Sequence, residues 1–351
     1  MKKLLIGTAL ASTMFVAAIA QAETKVSGYY ELNYRAISNQ TTGAVDSPNA
    51  AFGTEMDINI ASTNTLSNGM VMDIFVGTSN EGGSDTGTLT NSKNWGTDSY
   101  GLSLTSGSTT FDISTDRGNT LDMISDVVPN PVDQPADNIS VLSTARLSKG
   151  LPAASTDAVQ ATTHMTVTQK IPTGVLAVTF NPSTSNTENQ TSGHRNDGAN
   201  SGLSGYSLVY SGSVMPGLNV AVGTEKVTGY ERQDAVSTTY GFNYTSGAVS
   251  VGVQKASNDV GASGTTETAV QSIDSMHYGI TYKVSDALTI GAAVQTIDAS
   301  NKTSDEEYQQ LEAAYSLGAL GVGISYTQVE NVNGAAGTDE DQLMVRLSSK
   351  L

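Results

Sequence analysis

Residues 25–36 read KVSGYYELNYRA. Val26, Gly28, Tyr30, Leu32, Tyr34 and Ala36 share one parity, and Lys25, Ser27, Tyr29, Glu31, Asn33 and Arg35 share the other. A period of two, with one apolar and one polar row, is the pattern of a β-strand. It returns along the chain. Phe52, Thr54, Met56, Ile58 and Ile60 alternate with Glu55, Asp57 and Asn59. Further rows are Leu218, Val220, Val222; Tyr240, Phe242, Tyr244; Val249, Val251, Val253; Met276, Tyr278, Ile280, Tyr282; and Leu288, Ile290, Ala292, Val294. The series closes with Leu311, Ala313, Tyr315, Leu317; Val322, Ile324, Tyr326; and Leu343, Val345, Leu347, Leu351.

Between the rows, short turns alternate with long polar connections. The short ones sit at Asn68-Gly69, Ser106-Gly107, Pro172-Thr173-Gly174, 213–217, Ser246-Gly247, 285–287 and 318–320. Most have the Gly chemistry that tight hairpins require. The long ones fall near 37–51, 80–97, 117–157, 183–202, 229–236, 258–273, 299–306 and 331–340, and are rich in Asn, Asp, Ser, Thr and Gly. Seven short turns strictly alternating with eight long connections predict sixteen strands, with both chain ends on the short-turn side. Residues 138–149 (NISVLSTARLSK) could be read as one more strand. That would invert every later connection, so parity places them inside the third long connection.

Composition agrees. Among the 351 residues 35 are Gly, only 15% are charged, and many of the rest are Ser, Thr, Asn and Gln; Gly and β-branched Thr are poor helix formers, which disfavours helical bundles and coiled coils. With 34 acids against 17 bases the net charge is −17, the wrong sign for a nucleic-acid binder. No Cys is present, which excludes disulfides, thiolate zinc sites and a cysteine nucleophile. The three histidines (His164, His194, His277) lie far apart, with no HExxH pairing.

Residues 1–22 read as an export signal. Lys2 and Lys3 precede an apolar stretch at 4–19, and Ala20-Gln21-Ala22 supplies the small-residue cleavage pattern. An N-terminal membrane anchor would need a longer apolar core than this one. Cleavage removes two lysines and no acid, leaving 15 bases against 34 acids, or −19. After residue 22 no apolar run approaches the ~18 residues of a spanning helix.

Two all-β architectures accommodate amphipathic hairpins. A soluble sandwich turns its apolar rows into a core. A membrane barrel turns them outward to lipid and encloses its polar rows in an aqueous lumen. Mid-strand charges at Glu31, Asp57, Asp73, Glu312 and Arg346 suit a wet lumen, though a sandwich exterior also tolerates them. Connections short on one side and long on the other favour the barrel. So do Tyr210, Tyr244, Tyr282 and Tyr315, which stand on the apolar parity just before short turns, where a lipid boundary would place them. The expected fold is an all-β, transmembrane antiparallel up-and-down β-barrel of sixteen strands at 23–351. Its backbone must be satisfied by closure, so the first strand should pair with the last, 341–351.

The signal, the sixteen alternating strands, the long third connection and the terminal amphipathic strand together resemble the Gram-negative general porins. The resemblance spans the whole mature chain and rests on architecture rather than on a sharp motif. One departure is Leu351, where the family usually ends in Phe; Ser349 also breaks the apolar row. The resemblance implies a homotrimer in a Gram-negative outer membrane, in contact with lipid and lipopolysaccharide and exported through the Sec pathway. It implies passive diffusion of small hydrophilic solutes and ions. It also implies that the third loop, near 117–157, folds into the lumen and narrows it.

That loop opens RGNTLDMISDVVPNPVDQPADN from Arg117 and carries Asp122, Asp126, Asp133 and Asp137. These are the candidate constriction carboxylates; the plainer reading is an ordinary solvated loop. Leu121, Ile124 and Val128 fall at helical spacing and could seat a helical turn on the inner wall. The family sets basic side chains opposite the loop, and by parity the candidates are Arg35, Arg346 and Lys170. Antiparallel end strands would bring Arg346 near Glu31. Against these stand Glu31, Glu55, Asp57, Asp73, Asp112 and Glu312 on the lumen parity. Excess carboxylate concentrates cations, so weak cation preference is expected, although charge on outer loops is screened over about 8 Å at physiological salt.

No cofactor is expected. The Asp-rich loops lack the regular calcium-ligand spacing, so loop-bound Ca²⁺ has only composition behind it. A barrel enzyme would need a nucleophile–base set. His164 shares lumen parity with Gln160, Thr162, Thr166 and Lys170, but no G-x-S-x-G is present, and catalysis is not expected. The sequence also admits a substrate-preferring outer-membrane channel and, with less support, a secreted surface or adhesive β protein.

Overall fold

The structure is a computed structural model describing residues 23–38, 49–82, 96–115, 124, 127–132, 135, 164–181, 204–230, 233–260, 271–300 and 302–350. Its strands are β1 (Glu23–Ser38), β2 (Asn49–Thr65), β3 (Val71–Gly82), β4 (Gly96–Ser106), β5 (Thr109–Thr115), β6 (His164–Ile171), β7 (Gly174–Asn181) and β8 (Ser204–Met215). They continue as β9 (Leu218–Tyr230), β10 (Gln233–Ser246), β11 (Val249–Val260), β12 (Gln271–Lys283), β13 (Leu288–Ala299), β14 (Glu306–Leu317), β15 (Leu320–Glu330) and β16 (Glu340–Lys350). Each strand pairs antiparallel with its sequence neighbours, and β1 pairs with β16 to close the barrel. At the seam Leu32 faces Leu347 and Tyr34 faces Val345, so the apolar rows of the two ends run on as one.

All seven short turns lie where the glycines and turn residues put them. Gly69, Gly107, Gly217, Gly247 and Gly318 hold φ between +60° and +83°, a range costly for any residue with a Cβ. One connection is shorter than expected. The polar stretch at 229–236 is largely strand, since β9 runs to Tyr230 and β10 resumes at Gln233. Beyond the lipid-facing part a ladder needs backbone pairing but no apolar alternation, so the pattern fades before the strand does. Residues 138–149 lie outside the described ones.

Burial decides between barrel and sandwich. The apolar parity is the exposed one: Leu311 is 63% exposed, Phe52 60% and Val26 68%. The polar parity is enclosed, with Thr166, Thr239, Gln295 and Gln310 buried. A water-soluble double sheet would show the reverse. At about 25 cal/mol per Å², such an apolar exterior would be costly in water. Tyr244, Tyr282 and Tyr315 face outward beside the short turns, and the Tyr210 hydroxyl donates to the Thr173 carbonyl 3.2 Å away in the β6–β7 turn.

The inner surface is not polar throughout. Near the long-connection ends of β12–β15, the lumen-parity residues Ile273, Ile297, Tyr308 and Val329 form a buried apolar cluster, with Ala299 and Val332 packed against it. The neighbouring outward positions there are Asp274, Asp298, Glu307 and Glu330, so the two faces exchange character. That exchange marks strand standing clear of hydrocarbon. Among the described residues no helix is long and apolar enough to cross a bilayer.

Candidate functional site

The described part of the third long connection lies inside the barrel. Its described residues 124, 127–132 and 135 run against the inner wall instead of over the rim. Ile124 and Val127 pack on Val209 of β8 and Ala221 of β9. Asn243 of β10 donates its side-chain amide to the Val127 carbonyl at 3.0 Å. At the far end Arg346 of β16 donates through Nη1 to the Val132 carbonyl at 3.2 Å. The segment thus spans the inner face from β8 to β16.

Ile124 and Val128 are both fully buried; Leu121, the third residue of that spacing, lies outside the described residues. Pro129 and Pro131 lack the N–H a helix needs and would clash with a preceding turn, and residues 127–132 are neither helix nor strand. Its carbonyls are satisfied from outside the segment's own backbone: Asn243 caps Val127, the Asn130 amide caps Val128 at 3.0 Å, and Arg346 caps Val132.

Arg346 stands beside this loop segment, not across from it. Its Nε lies 3.2 Å from Glu31 Oε1 and 3.3 Å from Asn33 Oδ1. Glu31 also accepts from the Tyr29 hydroxyl and the Asn33 amide. The register that pairs Asn33 with Arg346 makes this contact, and it is the one the parity of the end strands anticipated. Arg35 lies on the inner face of β1, half-buried, in register with Met344 and Ala51. Lys170 stands at the exposed short-turn end of β6, where its backbone N–H donates to Ser108 O at 2.8 Å.

The remaining carboxylates gather on one wall. Glu55 and Asp57 lie on the lumen parity of β2, Asp73 on β3 and Asp112 on β5. Glu55 faces Glu31 directly across the β1–β2 ladder. Asp73 accepts from Thr63 Oγ1 at 2.5 Å; Asp112 accepts from Ser103 Oγ at 2.9 Å and from Ser114 Oγ. β2, β3, β4 and β5 contain no Lys or Arg. Glu312 is buried away from that wall, on β14 beside Gly291. Asp122, Asp126, Asp133 and Asp137 fall outside the described residues.

Among the described residues no group of three or more acidic, histidine or cysteine side chains is placed to hold a metal ion. His164 is buried on β6 in register with Ser114. That serine donates to Asp112. Parity does not reveal Tyr29 and Asn33 as partners of Glu31, because a side-chain network is invisible to a period of two. Nor does it reveal the glycines under the loop; their inward parity is the only signal the sequence carries.

No curated protein sequence matches this chain. A family model described as Gram-negative porin matches residues 8–348. Solved structures resembling it include substituted variants of the Rhodopseudomonas blastica porin. One superposes with a TM-score of 0.63 at 14% identity, covering 94% of this chain and 100% of that one. Another gives 0.62 at 15% identity with the same coverage. At such identity the likeness speaks to the fold alone; the family model, covering nearly the whole chain, speaks to kinship. The chain belongs to the Gram-negative porins, generally trimeric proteins, and is a non-enzymatic outer-membrane channel for passive diffusion.

Proposed function

We propose that this channel prefers cations weakly. The observation behind the reading is the wall of β2–β5, which presents Glu55, Asp57, Asp73 and Asp112 to the lumen and carries no base. Arg346, the mid-strand cation expected to balance it, is engaged by Glu31 and by the loop carbonyl at Val132. A wall that carries carboxylates and no base raises local cation concentration, and screening keeps the bias modest. The test is a reversal potential in a potassium chloride gradient across a planar bilayer. Cation-signed potential is expected, shrinking toward zero in the triple variant Glu55→Gln, Asp57→Asn, Asp73→Asn. An anion-signed potential for the unsubstituted protein overturns the reading.

Three further readings belong with this one. The chain assembles as a homotrimer, supported by its family. It contacts outer-membrane lipid and lipopolysaccharide, supported by its exposed apolar parity. It is exported through the Sec pathway with residues 1–22 removed, supported by the charged, apolar and Ala-Gln-Ala pattern. N-terminal sequencing of the purified protein checks the last, with Glu23 expected as the first residue.

A further inference from the structure

The loop segment 127–132 lies over a row of bare backbone. Gly252 of β11, Gly279 of β12, Gly291 of β13 and Gly323 of β15 all face inward beneath it, and Gly252 and Gly279 are direct partners in the ladder. A Cβ at Gly252 would meet Pro129 Cδ at 2.6 Å, and one at Gly279 would meet Val128 Cγ1 at 2.5 Å and Pro129 O at 3.0 Å. At Gly291 it would meet Pro131 Cδ at 2.6 Å, and at Gly323 Val132 Cγ1 at 2.8 Å. Ordinary carbon contacts are about 3.5–4.0 Å, so none of these positions has room for a methyl group. β14, between β13 and β15, offers the small Ala314 opposite Gly323. Glycine weakens a strand interior and is expected where another backbone approaches closely. Four such residues, each under a successive part of the loop, form a track.

We propose that Gly252, Gly279, Gly291 and Gly323 are positioning residues that set the free bore of the channel. They let the stiff Val-Val-Pro-Asn-Pro-Val segment lie flat against the wall. Ile124 and Val127 fix one end by apolar contact, and Arg346 fixes the other by hydrogen bond. A side chain added to the track, with the segment's own side chains left in place, lifts the segment into the lumen; at Gly323 the obstacle is the pair of γ carbons of Val132. The track concerns aperture, not ion sign, so it stands or falls apart from the cation preference above.

Gly279→Val and Gly323→Val are the direct variants, and Gly53→Val is their control. Gly53 also lies on the lumen parity, but a Cβ there meets nothing within 4 Å. Folding is verified by gel migration that changes only on boiling. Single-channel conductance and exclusion of neutral sugars of graded size are then read. Conductance is expected to fall by about twofold or more in the track variants, with a lower size limit, and to stay near the original in the control. Track variants that fold and conduct like the control overturn the proposal. Should they fail to fold, the double variant Val132→Cys, Gly323→Cys serves in a chain with no native cysteine. Its disulfide is expected to form under mild oxidation and leave conductance unchanged, because the segment already lies where the bond would hold it. Failure to cross-link in the folded barrel, or a conductance that changes on oxidation, contradicts the seat.

Discussion

Arg346 meets three groups at once: Glu31, the Asn33 amide oxygen and the Val132 carbonyl. Its removal therefore touches both charge and loop. In Arg346→Met the loop loses its anchor at β16 and the lumen loses a cation. The expected outcome is a larger cation-signed reversal potential together with noisier open-channel current, read from single channels. Tyr308 is the residue-scale test of the apolar cluster on the lumen parity. It is fully buried among Ile273, Ile297 and Val329. Tyr308→Ala leaves a cavity costing about 3–5 kcal/mol, the range for large aromatic truncations. Denaturant unfolding of the detergent-solubilised barrel should show it as a lowered midpoint. The cluster is hard to read from sequence, because Ile273, Ile297 and Val329 carry apolar character onto the parity that elsewhere is polar. A pattern that exchanges faces within one strand looks like noise until the end of the hydrocarbon is located.

On the scale of the element, most of what positions the pore is legible in the sequence. The alternation in β1 and β2 places Glu31, Glu55 and Asp57 on one face, and the turn glycines place the strand ends. The loop path is less so. Ile124 and Val128 announce the wall-facing side, but Pro129 and Pro131 keep residues 127–132 out of any helix. Outward rows also predict a graded energetic response along a strand. Phe242 lies mid-row on β10, and Thr238 lies four residues nearer the long-connection end. Arginine at Phe242 should cost about 2–4 kcal/mol in bilayer-based unfolding, and at Thr238 only about 0–1 kcal/mol. Equal costs at both positions would mean that the lipid-facing band has been placed wrongly.

At the scale of the whole molecule the sheet has no edge, since β1 and β16 zip from Tyr29–Lys350 to Ser38–Asp341. Closure lets every strand find backbone partners on both sides inside lipid. Closure follows from the sequence once both chain ends fall on the short-turn side. The bore that closure encloses cannot be read that way, because its shape depends on contacts between residues far apart in the chain, such as Val132 with Gly323. Purified without boiling, the protein should migrate as a compact oligomer and shift to its 36.3 kDa chain, or slightly less after signal removal, only on heating. The central claim is that apolar rows face hydrocarbon while the enclosed polar rows line an aqueous path. Planar-bilayer recording addresses it most directly. Purified protein added to one side should produce discrete, ohmic conductance steps that grow in proportion to bulk salt. A protein that stays dispersed without detergent and leaves the bilayer silent would contradict it.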